Sequence, residues 1–258
     1  MSTFPHAVGD SATMLRRNLR HLARYPVMVV MSLGVPTLLL LLFVGVFGGA
    51  MGGGARGGDY VDYLVPGIVL MTAGYGSTST ALAVNRDMTE GIIARFRTMP
   101  VFRASVLVGH VLAAVIRTVA SAALVVGVAL LMGFRPAATL VGWLAAVGVF
   151  VLLALALTWL AVAIGLAARN AEGTSAFTLV VQVLPFVSSA FVPPESMSGA
   201  VRWFAEDQPF TLVIDTLRGL LLGTPVGDSA IPAVGWCVGL ALVGYLWARA
   251  LFRRDPVR

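Results

Sequence analysis

Apolar residues gather into six long runs, at about 27–47, 61–84, 104–132, 140–167, 174–192 and 231–251. Short polar or mixed segments separate them. A helix rises about 1.5 Å per residue, so about 20 apolar residues cross the ~30 Å hydrocarbon core of a bilayer. The pattern predicts an all-α polytopic membrane protein. It has six transmembrane helices in a single membrane domain over residues 1–258.

The segments between the runs carry more information than the runs. Over residues 7–25, Leu15, Leu19 and Leu22 share one helical face, and Arg16, Arg17, Arg20 and Arg24 share the other. Asp10 suits the start and Pro26 the end. An N-terminal amphipathic helix lying on the inner leaflet is expected.

Between the second and third runs, "NRDMTEGIIARFRTMPVFR" places Asp87 three residues before Glu90, an aspartate variant of the capping box. Ile92, Phe96 and Met99 then fall on one face of a short helix, Arg95 and Arg97 turn elsewhere, and Pro100 ends it. Such a face suits either lipid contact or docking to another protein, where aromatic and arginine residues often dominate.

Between the fifth and sixth runs, Ser198 is placed to cap a helix carrying Val201, Trp203 and Phe204, and Pro209 breaks it. Thr211 is then expected to cap "LVIDTLRGLLL", which is too short to span and reads as interfacial or re-entrant. Asp215 and Arg218 stand at i and i+3, a spacing that allows a pair. The whole segment reads as an outer lid over the helix bundle.

Composition agrees with a membrane location. Hydrophobic residues make up 58% of the chain and charged residues 12%, against about 25% charged in soluble domains. All 18 basic residues are arginine. Without lysine, the chain lacks the phosphate-gripping residue of a P-loop, so it is not an ATPase of that class by itself.

Arginine placement also sets an expected orientation. With the N-terminus inside, the inner segments hold Arg16, Arg17, Arg20, Arg24, Arg86, Arg95, Arg97, Arg103, Arg169, Arg249, Arg253, Arg254 and Arg258. The outer ones hold Arg56, Arg135, Arg202 and Arg218. That asymmetry predicts both termini on the cytosolic side of a plasma membrane. The lone Cys237 lies in an apolar run and reads as a small buried hydrophobe.

"TAGYGS", from Thr72 to Ser77, nearly spells a potassium-channel filter. It lies inside a continuous span with no pore helix before it, and no G-x-S-G motif or histidine base marks Ser77 as a protease nucleophile. Ala73, Ser77 and Ala81 repeat every fourth residue, a stripe of small side chains that favours close helix packing. Two other polar residues stand at depth. His110 and Arg117 lie seven apart on the third span, hence on about one face. A charge there is costly and should meet protein or water. It either lines a transport route or pairs within the bundle, with Gln182 or backbone carbonyls as candidate partners.

"LVPGIVLMTAGYGSTSTALAVNRDMTEGIIARFRTMPVFRASVLVGHVL" and "FVPPESMSGAVRWFAEDQPFTLVIDTLRGLLLG", with the span layout, resemble the permease subunits of the ATP-binding cassette type-2 export family, of daunorubicin-resistance type. The resemblance implies that this chain is a transport subunit rather than an enzyme. Two such permeases, copies or relatives, would join two cytosolic ATPase subunits that bind ATP and Mg, and no cofactor would sit on this chain. Glu90, Ile92, Arg95, Phe96, Arg97 and Met99 would lie on a cytosolic coupling helix, and Trp203, Asp215 and Arg218 in the outer lid. The cargo would be a drug, polyketide, lipid or glycoconjugate, moved out across the plasma membrane, and membrane lipid would be a further partner but nucleic acid would not.

Two other classes compete. A proton-coupled secondary transporter usually needs carboxylates at membrane depth, and no span centre carries one. An intramembrane lipid-modifying enzyme needs a catalytic cluster, and no H-E-x-x-H or paired catalytic carboxylates occur.

Overall fold

The computed structural model describes residues 26–47, 58–89, 103–168 and 170–253. Those residues are helical throughout apart from turns and short connections, with no strand among them. Helix α1 covers Pro26–Leu42 and runs on as a π-helical turn over Phe43–Phe47. It is followed by α2 (Gly58–Thr89), α3 (Arg103–Leu131) and α4 (Leu140–Ala167). Then come the short α5 (Ser175–Val183), α6 (Gly199–Asp207) and α7 (Pro209–Leu222), and finally α8 (Ala230–Arg253).

Among the described residues four helices are long and apolar enough to cross a membrane: α2, α3, α4 and α8. Their limits follow the second, third, fourth and sixth apolar runs. The first run is helical along its length.

Helix α2 is the centre of the bundle. It packs on α1, α3, α4, α5 and α7, and Leu64, Val65, Ile68, Leu70 and Met71 are fully or almost fully buried. The small stripe explains how so many helices reach it. Ala73, Ser77 and Ala81 are all buried, and Gly165 of α4 comes so near that a Cβ there would lie 2.6 Å from the Ala81 carbonyl oxygen. Close backbone approach through small residues is the main way helices gain van der Waals contact in lipid. The Ser77 hydroxyl donates to the Gly74 carbonyl at 2.7 Å, so it is satisfied within its own helix.

Helix α4 begins where Thr139 accepts a hydrogen bond from the Gly142 amide through Oγ1, at 3.1 Å. This cap satisfies one of the orphan donors of the first turn. Helix α8 lies across α4 and α7. Ile231, Leu242, Leu246 and Trp247 on α8 and Leu140, Val141 and Leu144 on α4 are exposed. Apolar side chains facing outward are what a lipid solvent demands.

The fifth run differs from the single span expected over 174–192. A 3-10 turn (Ala171–Thr174) leads into α5, which gives way to another 3-10 turn at Leu184–Val187 and a tight turn through Ser188 and Ala190. Pro185 sits in that second turn. Proline removes one amide donor and clashes with the carbonyl four residues back, and Ser188 then donates to the Pro185 carbonyl at 2.6 Å. Apolar composition alone did not reveal this break.

Two expected caps also move. Helix α7 starts at Pro209 with Gln208 as its N-cap, not at Thr211. Proline suits the first helical position, where its missing amide leaves nothing unpaired. The Gln208 side-chain amide donates to the Val187 carbonyl. Asp87 lies inside the last turn of α2 rather than capping a new helix, because no glycine or proline stops α2 before Gly91. The amphipathic segment 7–25 and the coupling residues Glu90, Ile92, Arg95, Phe96, Arg97 and Met99 lie outside the described residues.

Candidate functional site

Three polar groups are strung along α2, one at each end and one between. At the Thr89 end, Asp87 Oδ2 lies 3.0 Å from His110 Nε2 on α3. Both side chains are only slightly exposed. Two residues earlier, the buried Asn85 donates through Nδ2 to the Ala168 carbonyl at 2.7 Å. This end of α2 is thereby tied to both α3 and α4, next to the segment 90–102.

Between the ends, Arg117 of α3 reaches across to α2. Its Nη2 donates to the Gly76 carbonyl at 3.1 Å, to Ser79 Oγ at 2.7 Å and to Thr80 Oγ1 at 3.2 Å. All three acceptors are neutral. Arg117 Nε and the neighbouring Thr118 hydroxyl are buried without a hydrogen-bond partner among the described residues. The backbone-carbonyl partner allowed from sequence is therefore present. Gln182, on α5, makes no hydrogen bond to Arg117 among the described residues.

At the Tyr60 end, Arg218 of α7 is the hub of a polar knot. Its Nη1 lies 2.6 Å from Asp215 Oδ1, at the i, i+3 spacing expected. Its Nη2 donates to the Ser189 carbonyl at 2.7 Å and, with Nε, to the Tyr63 carbonyl. The guanidinium lies 3.9 Å from the Tyr63 ring centroid, within cation–π range. The Tyr63 hydroxyl and the Ser189 hydroxyl close the network, on the Ser189 carbonyl and Asp215 Oδ1 respectively.

Burial pushes the Asp215 carboxyl above its usual range, and outweighs the opposing effects of the Ser189 hydrogen bond and the Arg218 charge. The knot borders a cavity of about 360 Å³ lined also by Pro193, Pro194, Glu195, Glu206 and Thr211. Trp203 stands away from it on α6, largely exposed.

Arg117, His110, Asp215 and Arg218 thus all act on α2 or its neighbours, whereas Gln182 and Trp203 join none of these groups. Tyr63, Ser189 and Asn85 escaped the sequence reading. A tyrosine and a serine inside apolar runs, and an asparagine just past one, carry no spacing signal, and only the packing of neighbouring segments on α2 shows what they bind.

Among the described residues this arrangement shows no metal-binding cluster. It is a bundle of helices with polar ties at its two ends and a buried arginine between them, which suits a subunit that shifts between conformations. Sequence comparison assigns it. The family model described as ABC-2 type transporter matches residues 11–222, and the chain belongs to that family: it is a multi-pass membrane permease subunit of an ATP-binding cassette exporter. It is a transport subunit, and the family implies an ATP-binding cassette ATPase as its partner.

Among curated relatives, the daunorubicin resistance ABC transporter permease protein DrrB1 of Streptomyces coeruleorubidus is 30% identical over 92% of this chain and 80% of its own length. The probable doxorubicin resistance ABC transporter permease protein DrrC of Mycobacterium tuberculosis is 31% identical over 70% of this chain and 65% of its own.

Proposed function

We propose that this chain forms the membrane pathway of an exporter that carries a drug, or a cargo of similar amphipathic chemistry, out across the plasma membrane. The single observation that supports it best is the continuity of α2. This one helix of 32 residues, about 48 Å long, touches the polar knot through Tyr63, Arg117 through Gly76, and His110 through Asp87. Movement applied next to Thr89 is carried along one element to the cavity at the far end.

The motor is a separate pair of ATPase subunits holding ATP and Mg, joined to two permeases that are copies or relatives of each other. Glu90 to Pro100 docks on the ATPase, with Ile92, Phe96 and Met99 buried in the contact and Arg95 and Arg97 at its rim. Residues 7–25 rest on the inner leaflet beside it. Pro193 to Leu222 covers the outer mouth, and both termini are cytosolic, in line with the arginine asymmetry.

The cargo follows the names of the relatives, which are drug-resistance permeases. Daunorubicin uptake into inside-out vesicles carrying this chain and its ATPase is the test. Uptake that needs ATP and an intact ATPase supports the reading. Uptake driven by a proton gradient with no ATPase present contradicts it.

A further inference from the structure

Arg117 stands at the middle of α3. It is 14 residues from Arg103 and 14 from Leu131, the two ends of α3, hence about 21 Å from either end. A charge at that depth is expensive and is retained where it has a partner or a task.

Its partners in the chain are one carbonyl and two hydroxyls, and all are held by Nη2 alone. Among the described residues Nε is buried without a partner, whereas the Thr118 hydroxyl, also unpaired, faces Gly76 of α2. No ion pair to Arg117 occurs among the described residues, where the acids in ion pairs are Asp87, Glu206 and Asp215.

The sequence places no aspartate or glutamate anywhere in α1, α3, α4 or α8, and those of α2 lie at its ends, at Asp59, Asp62 and Asp87. Among the described residues the positive charge of Arg117 therefore has no carboxylate partner, and the residue before it, Ile116, is exposed.

We infer that Arg117 is an anion-recognising site halfway along α3, and that it takes the carboxylate or phosphate of an amphipathic ligand whose apolar body lies along α3. Hydrogen bonds to a charged group are about twice as strong as neutral ones, and low dielectric strengthens them further. Ser79, Thr80 and the Gly76 carbonyl hold the guanidinium in place from behind. The inference rests on the transport reading for its biological meaning, but not for its test, which needs neither ATP nor a partner.

The test is binding of pyrenebutyrate, an amphipathic anion, against its uncharged analogue pyrenebutanol, followed by energy transfer from the tryptophans of the intact permease. The protein is held in nanodiscs of phosphatidylcholine alone. Wild type should bind the anion more tightly than the alcohol by about tenfold or more, the size of a charge-assisted contact. Arg117→Gln should bring the two within about twofold. Arg117→Lys should keep part of the preference, and Ser79→Ala, which removes one support but not the charge, should keep most of it.

Adding phosphatidylglycerol separates two sources of the same chemistry. Competition with pyrenebutyrate makes a lipid head group the ligand, and its absence makes a transported anion the ligand. Equal binding of anion and alcohol by wild type overturns the inference even if Arg117→Gln does not fold. An anion preference that survives Arg117→Gln also overturns it.

Discussion

Asp87 and His110 face each other at 3.0 Å across the ends of α2 and α3, the two helices that enclose residues 90–102. The pair ties these helices together beside that segment. Both side chains are mostly shielded, at 16% and 23% exposure, so the pair should contribute more than an exposed one, which gives about 1 kcal/mol or less. His110→Ala should therefore lower thermal stability modestly and ATP-driven uptake several-fold. Unchanged uptake would show that the pair does not transmit movement.

Close approach predicts a sharp contrast between glycines. A Cβ at Gly67 would lie 2.6 Å from the Ala190 Cβ and 2.7 Å from its Cα, and a Cβ at Gly165 would meet the rigid Ala81 carbonyl. At Gly127 nothing lies within 4 Å. Gly67→Ala and Gly165→Ala should each destabilise by about 1–3 kcal/mol through overpacking, whereas Gly127→Ala should be neutral or slightly stabilising. Loss of monodisperse protein on heating in detergent reads this directly.

The polar knot should matter more than a surface pair. Arg218 is mostly buried, with its side chain 16% exposed, and Asp215 is 39% exposed. Arg218→Ala strands a carboxylate whose proton affinity burial already raises. It should cost more than the ~1 kcal/mol of an exposed pair but less than the 3–5 kcal/mol of a fully buried one. Arg202→Ala, which breaks the exposed Arg202–Glu206 pair, should leave stability unchanged.

The pH dependence has a defined sign. A carboxyl whose folded pKa lies above its unfolded value, 3.8 for Asp215, binds its proton more tightly when folded. Its contribution therefore weakens as pH rises from about the unfolded value through the raised one. Arg218→Ala removes an opposing charge, so the fall should extend to higher pH in the variant. Melting curves of both proteins across mildly acidic pH show whether it does.

What the sequence revealed and what it hid divide along physical lines. Leu140–Ala167 was legible to the residue, because an uninterrupted apolar run bounded by Thr139 and the Arg169 loop admits one helix. The stripe of Ala73, Ser77 and Ala81 was legible as packing because small residues at helical spacing have few other uses in a membrane. Asp215 and Arg218 were legible because their contact is local.

The break near Pro185 was hidden by averaging. A hydropathy window does not register one proline among valines and leucines. The partners of Arg117 were hidden for another reason: Gly76, Ser79 and Thr80 lie about 40 residues away, and only helix packing selects them over Gln182.

Orientation has its own test. A cysteine placed at Ser198, on a Cys237→Ser background, should react with a membrane-impermeant maleimide added to intact cells. Reaction only after the inner face is opened would place α6 and α7 in the cytosol and invert the arrangement.

The central claim is that a separate ATPase drives this chain through residues 90–100. Phe96 is the expected anchor, since buried aromatics often carry much of an interface's energy, and its truncation should cost about 2 kcal/mol or more at such a site. Arg95 and Arg97, at the rim, should matter less and lose their effect in salt. The most direct measurement is the amount of ATPase subunit that co-purifies in mild detergent with wild type, with Phe96→Ala and with Leu15→Ala. The expected result is a firm complex with wild type, a large loss for Phe96→Ala with normal membrane insertion, and a smaller loss for Leu15→Ala. Full ATPase retention by Phe96→Ala, together with full transport, would contradict it.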